Sequence, residues 1–399
     1  MKRRRFLQLA AASGATLGWR SSNAQQTGGA LPPLLDDAAK QKLRAYFDDL
    51  CAWIMGLDVG SNQLKGTSDT AESIFINGNF ARVLMASYRI TGNEAHRDEA
   101  LRWCDTFCGI QQRTQTSKGD DAGFWPDIGL RGNIYFGDAG TAAHALASIY
   151  PAAGPERQDV WRDAMERMAR FVIDGCAEDP QEQGRDATSS WVIREGSDAG
   201  ALGCGYYRGK LSVEPYTIAT ATTGGAFFSE LYGITKNPQY RGVAAGAVAW
   251  LLTTRKDDGE IPYTLAGNNL DTWPLDTMSY CTEAFVAADL LLEDEALRQS
   301  MRRQLEASVQ WMINGQNPDG SWGELRSEDQ QRSPRALTLL TWAYPWTAQH
   351  DAVARAVNAY CAFLLNPENS AAYGIKELVR TSGFVGLAVA DLLQPHCTF

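Results

Sequence analysis

Phe75-Ile-Asn-Gly-Asn-Phe-Ala-Arg-Val-Leu-Met-Ala-Ser-Tyr-Arg-Ile-Thr-Gly-Asn93 and Thr220-Ala-Thr-Thr-Gly-Gly-Ala-Phe-Phe-Ser-Glu-Leu-Tyr-Gly-Ile-Thr-Lys-Asn237 are two copies of one unit. Each is an apolar helix rich in small residues that ends in a tight turn, and a more charged amphipathic helix follows it. A helix that is apolar on nearly every face is stable only when protein surrounds it. The first helix of each pair is therefore inner and the second outer. Repetition at this period sets the architecture ahead of any single motif.

The unit recurs about six times. Inner helices are expected at 74–91, 138–150, 217–234, 276–292, 333–346 and 379–393, and outer helices at 36–55, 94–111, 155–175, 238–254, 294–314 and 349–365. Six hairpins joined head to tail, with the first outer helix closing against the last inner one, make an all-α (α/α)6 toroid. The almost wholly apolar inner set favours closure over an open solenoid or bundle.

Composition agrees with one large domain. The chain has 399 residues, 44% of them hydrophobic, which is enough for a sizeable buried core. A net charge of −10, with no basic cluster after the first five residues, argues against a nucleic-acid partner. No internal apolar run reaches membrane-spanning length, so stable membrane insertion is not expected.

Arg3-Arg4-Arg5-Phe6-Leu7 has the Arg-Arg-x-Phe-Leu order of a twin-arginine signal, and Ser22-Asn23-Ala24 offers small residues for cleavage. Residues 1–24 are expected to be a signal peptide, 25–35 a linker and 36–395 the toroid. The twin-arginine translocase would then be a transient partner, and the protein periplasmic or secreted. The eight cysteines form no Cys-x-x-Cys pair and read as small buried hydrophobes. Cys176 and Cys204 bracket the longest loop, and a disulfide between them is left open.

In this architecture the two kinds of connection emerge on opposite faces. Inner-to-outer turns are terse, as in Thr91-Gly-Asn93, Thr235-Lys-Asn237 and Glu293-Asp294. Outer-to-inner loops are long and aromatic, at 112–137, 177–216, 255–275, 315–332 and 366–378. Long loops in a compact domain commonly carry function, so the site is expected at the mouth on that face. Asp121-Ala-Gly-Phe-Trp-Pro-Asp127, Asp258-Gly-Glu-Ile-Pro-Tyr263 and Asp319-Gly-Ser-Trp-Gly-Glu324 share a turn followed by an aromatic. Either the aromatics plug the toroid wall, or they stack on a ligand.

With this pattern the chain resembles the six-hairpin glycosidase group over residues 36–393. Thr222-Thr-Gly-Gly-Ala-Phe-Phe and Ile76-Asn-Gly-Asn-Phe are similar to the inner-helix starts of unsaturated uronyl hydrolases. The resemblance implies an oligo- or polysaccharide substrate and leaves the reaction open. Gln316-Asn-Pro-Asp-Gly-Ser-Trp322 also resembles the Gln-Trp repeat of terpenoid cyclases, but their Asp-x-Asp-Asp acid is missing.

Hydrolysis of a glycosidic bond needs two carboxyl groups. Asp138 opens an inner helix between two glycines; its alternative role is a helix cap. Asp276, Tyr280 and Glu283 are spaced i, i+4, i+7 and share one helical face. Glu283, a carboxylate on an apolar helix, is either the acid or half of an internal ion pair with Arg335 or Arg380. Those two arginines, at the starts of the last inner helices, suit a substrate carboxylate and favour a uronate-containing glycan.

Asn77, Tyr216, Trp125, Trp273 and Trp322 complete the expected substrate contacts. β-Elimination with a Tyr or His base, His144 included, is the rival chemistry, and a non-catalytic glycan binder the rival class. Gly203-Cys-Gly-Tyr-Tyr-Arg-Gly209 mimics a dinucleotide fingerprint, but its last spacing is long by one and no βαβ unit surrounds it. Neither a cofactor nor a metal is implied.

Overall fold

The computed structural model describes residues 31–57, 74–126, 133–178, 187–207, 210–265, 268–270, 274–323, 333–369 and 379–399. The signal segment, Trp273 and the side chain of Arg380 lie outside the described residues. The chain divides into a short unit, Met1–Pro33, and a compact unit, Leu34–Phe399, that contains every helix named below.

The inner helices are α2 (Ile74–Thr91), α4 (Phe136–Ile149), a composite of α6 (Thr217–Ala219), a π-helix (Thr220–Phe227) and α7 (Phe228–Thr235), then α9 (Pro274–Leu291), α11 (Leu337–Ala343) and α13 (Val379–Leu393). The outer helices are α1 (Asp37–Gly56), α3 (Glu94–Ile110), α5 (Pro155–Asp174), α8 (Pro238–Thr253), α10 (Glu295–Asn314) and α12 (His350–Leu365). Each inner helix packs on the next, and α13 packs on both α1 and α2, which closes the ring. The fold is an (α/α)6 toroid.

The short-turn face shows why the hairpins form where they do. Thr91-Gly92-Asn93, Thr235-Lys236-Asn237 and Leu292-Glu293-Asp294 each hold the middle residue in the left-handed region, with φ of 74°, 56° and 53°. The third residue then caps the outer helix. Asn93 accepts from the Ala95 amide at 3.1 Å, Asn237 from Gln239 at 3.0 Å and Asp294 from Leu297 at 3.0 Å. A left-handed C-terminal residue followed directly by an N-cap reverses the chain within one residue.

The opposite face carries a second repeated turn. Gly119, Gly259 and Gly320 have φ of 87°, 96° and 93°, and each donates its amide to the carbonyl three residues earlier, at Thr116, Lys256 and Asn317. A side chain at Gly259 or Gly320 would strike the backbone of the next outer helix, at Ala307 or Ala359. These turns bind the long loops to the outer ring. The loops also form short strands that helical periodicity does not reveal: β1 (Gln112–Gln115) with β2 (Asp121–Phe124), then β3 (Ile134–Tyr135) with β4 (Gly203–Tyr207) and β5 (Lys210–Pro215), and β6 (Tyr263–Leu265) with β7 (Asn268–Leu270). Gly203 and Gly205 of the dinucleotide-like stretch therefore sit on the central strand of a small antiparallel sheet.

The π-helix replaces the regular helix expected across 217–234. It coincides with close approach on several sides. Thr222 donates to the Gly137 carbonyl at 3.1 Å, Thr223 donates to that of Phe136, and Gly224 and Gly225 admit Ala247 and Ala284. Widened turns of this kind recur near functional sites. Gly140 faces them, and a Cβ there would lie 2.8 Å from the Thr223 amide nitrogen, a backbone atom that cannot swing away. Gly140→Ala is expected to lower stability by at least about 1 kcal/mol in chemical denaturation, because overpacking outweighs the helix propensity gained.

Candidate functional site

The long-loop mouth is built from the first turns of consecutive inner helices. Helix α4 has Tyr135 as its N-cap residue and no side-chain cap bond. Asp138 lies three residues further in, half-buried, so it is not the capping residue. A carboxylate in the first turn is favoured by the helix dipole. Tyr216 precedes α6, which touches both α4 and α9. Its ring reaches within 3.7 Å of where a Cβ on Gly137 would be. Tyr216 meets Tyr263 edge to face, with centroids 5.8 Å apart.

The Tyr216 phenol is pushed well above its ordinary range by burial first, then by Tyr263, Cys204 and the Asp138 charge. It remains protonated at neutral pH and is a hydrogen-bond donor rather than a base. Asp276 occupies the first turn of α9, and Tyr280 one turn deeper meets Phe384 of α13 edge to face at 5.7 Å. Both are buried. Asp138, Tyr216 and Asp276 thus belong to the openings of three successive inner helices on the long-loop face.

Glu283 lies on the same face of α9, two turns below Asp276. It is fully enclosed. Its Oε1 accepts from Arg82 Nη1 at 2.9 Å and from Arg335 Nε at 3.0 Å. Arg335 Nη1 also reaches Asp391 Oδ2 at 2.6 Å, and Thr338 Oγ1 donates to the same oxygen at 2.9 Å. The four charged side chains are at most 3% exposed. Burial alone would raise the Glu283 carboxyl, but Arg82, Arg335 and then His144 outweigh it and hold the group at about 2. It is an anion at any ordinary pH and has no proton to donate. The ion pair, rather than the acid, is the role its surroundings fit.

Several other expected contacts are committed elsewhere. Trp125 is fully buried, with its Nε1 donating to the Phe107 carbonyl at 2.8 Å, and Trp322 is fully buried, donating to Met312 at 2.6 Å and tilting against Tyr360. Both plug the wall and are not available to stack on a sugar. Arg335 has its guanidinium consumed by Glu283 and Asp391, so it cannot receive a substrate carboxylate. Asn77 is fully buried five residues before Arg82 on α2. At about 100° per residue it lies roughly 140° around the helix from the axis-facing arginine. Trp273 and the side chain of Arg380 fall outside the described residues.

The axial partners were missed by the sequence reading. Arg82 and Asp391 look like ordinary charges on inner helices, and their pairing spans 201 and 56 residues. His144 Nε2 meets Glu230 Oε1 at 3.1 Å, both buried, which agrees with a core histidine. Cys176 and Cys204 are both buried thiols in the structure, without a disulfide between them. Among the described residues no group of three or more His, Cys, Asp or Glu side chains could hold a metal ion, and no helix is long and apolar enough to cross a membrane.

Solved structures share this architecture. Cellobiose 2-epimerase from Bacillus thermoamylovorans superposes with a TM-score of 0.60 at 11% identity, over 82% of this chain and 87% of that one. A GH76 α-mannanase from Bacteroides thetaiotaomicron gives 0.56 at 13% identity, over 88% and 95%. A possible member of the GH105 family from Klebsiella pneumoniae gives 0.58 at 13%, over 92% and 96%. No protein-family profile and no curated sequence matches the chain. At these identities the likeness establishes the fold.

Glu283→Gln should leave two buried guanidinium groups underpaired and cost about 3–5 kcal/mol in denaturant unfolding. The pH dependence carries a second signature. Because the folded-state value lies below the ordinary 4.5, the stability supplied by Glu283 is complete above that pH and is lost as pH falls toward about 2. The wild type is expected to lose stability more steeply than Glu283→Gln across that window, as read by thermal melts at stepped pH.

Proposed function

We propose that the protein is an exported carbohydrate-active enzyme that hydrolyses a glycosidic bond at the long-loop mouth. The observation that carries this reading is Asp138. It is a half-buried first-turn carboxylate outside the capping position, within electrostatic reach of the protonated Tyr216 and two inner helices from Asp276. Asp138 and Asp276 are the working carboxyl pair in this reading, and Tyr216 is a hydroxyl donor to substrate or leaving oxygen. Glu283 is assigned to the scaffold.

The shared fold supports the substrate class, since the neighbours include a mannanase, a cellobiose epimerase and a possible GH105 glycosidase. The sequence start supports export by the twin-arginine route, with residues 1–24 as signal and 25–35 as linker. Elimination has less support, because Tyr216 holds its proton and His144 is paired with Glu230 away from the mouth. Neutral glycans belong in the substrate range beside uronates, since Arg335, one of the two arginines expected to receive a carboxylate, is committed internally.

The purified mature chain should be incubated with neutral and uronate glycans while reducing ends and ultraviolet absorbance are followed. New reducing ends without absorbance are expected. Absorbance rising alongside them would establish a lyase, and product with neither signal, seen by NMR, an epimerase. Asp138→Asn should reduce kcat/KM by about 10²- to 10⁴-fold, the range for a lost general acid or base, with little change in melting temperature. A glycan binder would retain its ligand and show no turnover in either form.

A further inference from the structure

All six inner segments place an ionisable side chain in the axial network: Arg82, His144, Glu230, Glu283, Arg335 and Asp391. The chain's own residues 396–399 fill the space among them. Thr398 Oγ1 donates to Asp391 Oδ1 at 3.0 Å and accepts from Arg335 Nη2 at 3.4 Å, and its carbonyl accepts from Arg82 Nη2 at 3.3 Å. The Phe399 ring lies 5.8 Å from Arg82 Cζ, 5.7 Å from Arg335 Cζ and 5.8 Å from the His144 ring. Arg89 Nη1 donates to the main-chain oxygens of Cys397 and Phe399, each at 2.7 Å.

The segment follows the end of α13, which places its entry on the short-turn face, opposite the mouth. Its helix ends at Leu393, and His396 turns the chain with φ of 61°. A non-glycine residue in that region persists only where contacts beyond it hold it. Those contacts come from Thr398, Phe399 and the main chain of Cys397, and the exposed Gln394 and Pro395 precede them as a hinge.

We propose that residues 396–399 are an intramolecular stopper, releasable without unfolding the toroid, that enters from the face opposite the mouth and keeps water from the axial charges. Ion pairs that are strong when dry fall to little once hydrated. Local opening of so short a segment costs less than global unfolding, so the stopper can leave while the ring stays closed. The proposal does not depend on the catalytic reading.

Cys397 is a built-in reporter, buried at 4% exposure beside Thr398. Maleimide labelling of the folded protein, followed peptide by peptide with mass spectrometry, measures its opening. Cys104 and Cys361, buried in the ring helices, report global unfolding. Thr398→Val removes the hydroxyl that links Asp391 to Arg335 and should label Cys397 at least about tenfold faster, equivalent to an opening cost about 1.4 kcal/mol lower. Thr398→Ser should behave as wild type. Phe399→Ala should exceed Thr398→Val, and if it does not fold, the two threonine variants decide alone. Labelling of Cys397 that stays at the wild-type rate in Thr398→Val overturns the proposal. So does a rise shared equally by Cys104 and Cys361, because that marks loss of the whole fold. Labelling requires no turnover, so failure to find a glycan substrate leaves this result intact.

Discussion

The constraint on which the structure turns is the need to pair charges that its closure buries. Glu283 is enclosed by α2, the start of α11 and its own helix, and each buried ion has lost several kcal/mol of hydration. Only simultaneous contact with Arg82 and Arg335, and of Arg335 with Asp391, offsets that loss. The four groups come from α2, α9, the turn before α11 and α13. They can meet only when the first and last inner helices are adjacent, so the network is satisfied in the closed ring and unsatisfied in an open solenoid. Apolar burial makes the inner helices associate, and the charges select the arrangement that closes.

Around that axis the two faces follow different local rules. On the short-turn side the chain reverses through a left-handed residue and an Asn or Asp cap, which leaves no room for extra sequence. On the other side glycine turns at Gly259 and Gly320 press two of the loops onto the next outer helix, and Trp125 and Trp322 seal the wall. The wall seals carry their own hydrogen bonds, Trp125 to Phe107 and Trp322 to Met312. Their rings hold the loops in place and leave the mouth to Asp138, Tyr216, Tyr263 and Asp276.

The pattern of what could be read from the sequence follows from the range of the interactions. Helix limits were legible to about two residues in most cases, because caps and apolar periodicity are local. The last but one inner helix departs, opening as a 3-10 turn at Ser333–Ala336 and ending at Ala343. Short strands were not legible: Ile134 and Tyr206 pair from far apart in the chain, and the local pairs β1–β2 and β6–β7 have strands of only three or four residues, too short for a period-2 pattern. The buried carboxylate at Glu283 was legible as an anomaly on an apolar helix, and Arg335 as a partner. Arg82 and Thr398 were not, because nothing local distinguishes an arginine that crosses the axis from one that reaches solvent. The same gap placed Trp125 and Trp322 at the mouth: their size demands burial, and only the loop register decides which side buries them.

Depth along α9 separates the scaffold from the site. Asp276 and Glu283 share a face seven residues apart, about 10 Å along the helix. Between them Tyr280 packs on Phe384, an aromatic layer that limits water reaching the charges below. Glu283 is neutralised within its network, so it exerts little net field on the carboxylates above, whose protonation is left to groups at the mouth. A carboxylate at the Asp276 level lies in the first turn of its helix, at the long-loop end of the ring. One at the Glu283 level is locked as an anion and serves the fold. Two acids on one helical stripe thus sit in different surroundings through their depth in the ring, a distinction that i, i+4, i+7 spacing cannot express.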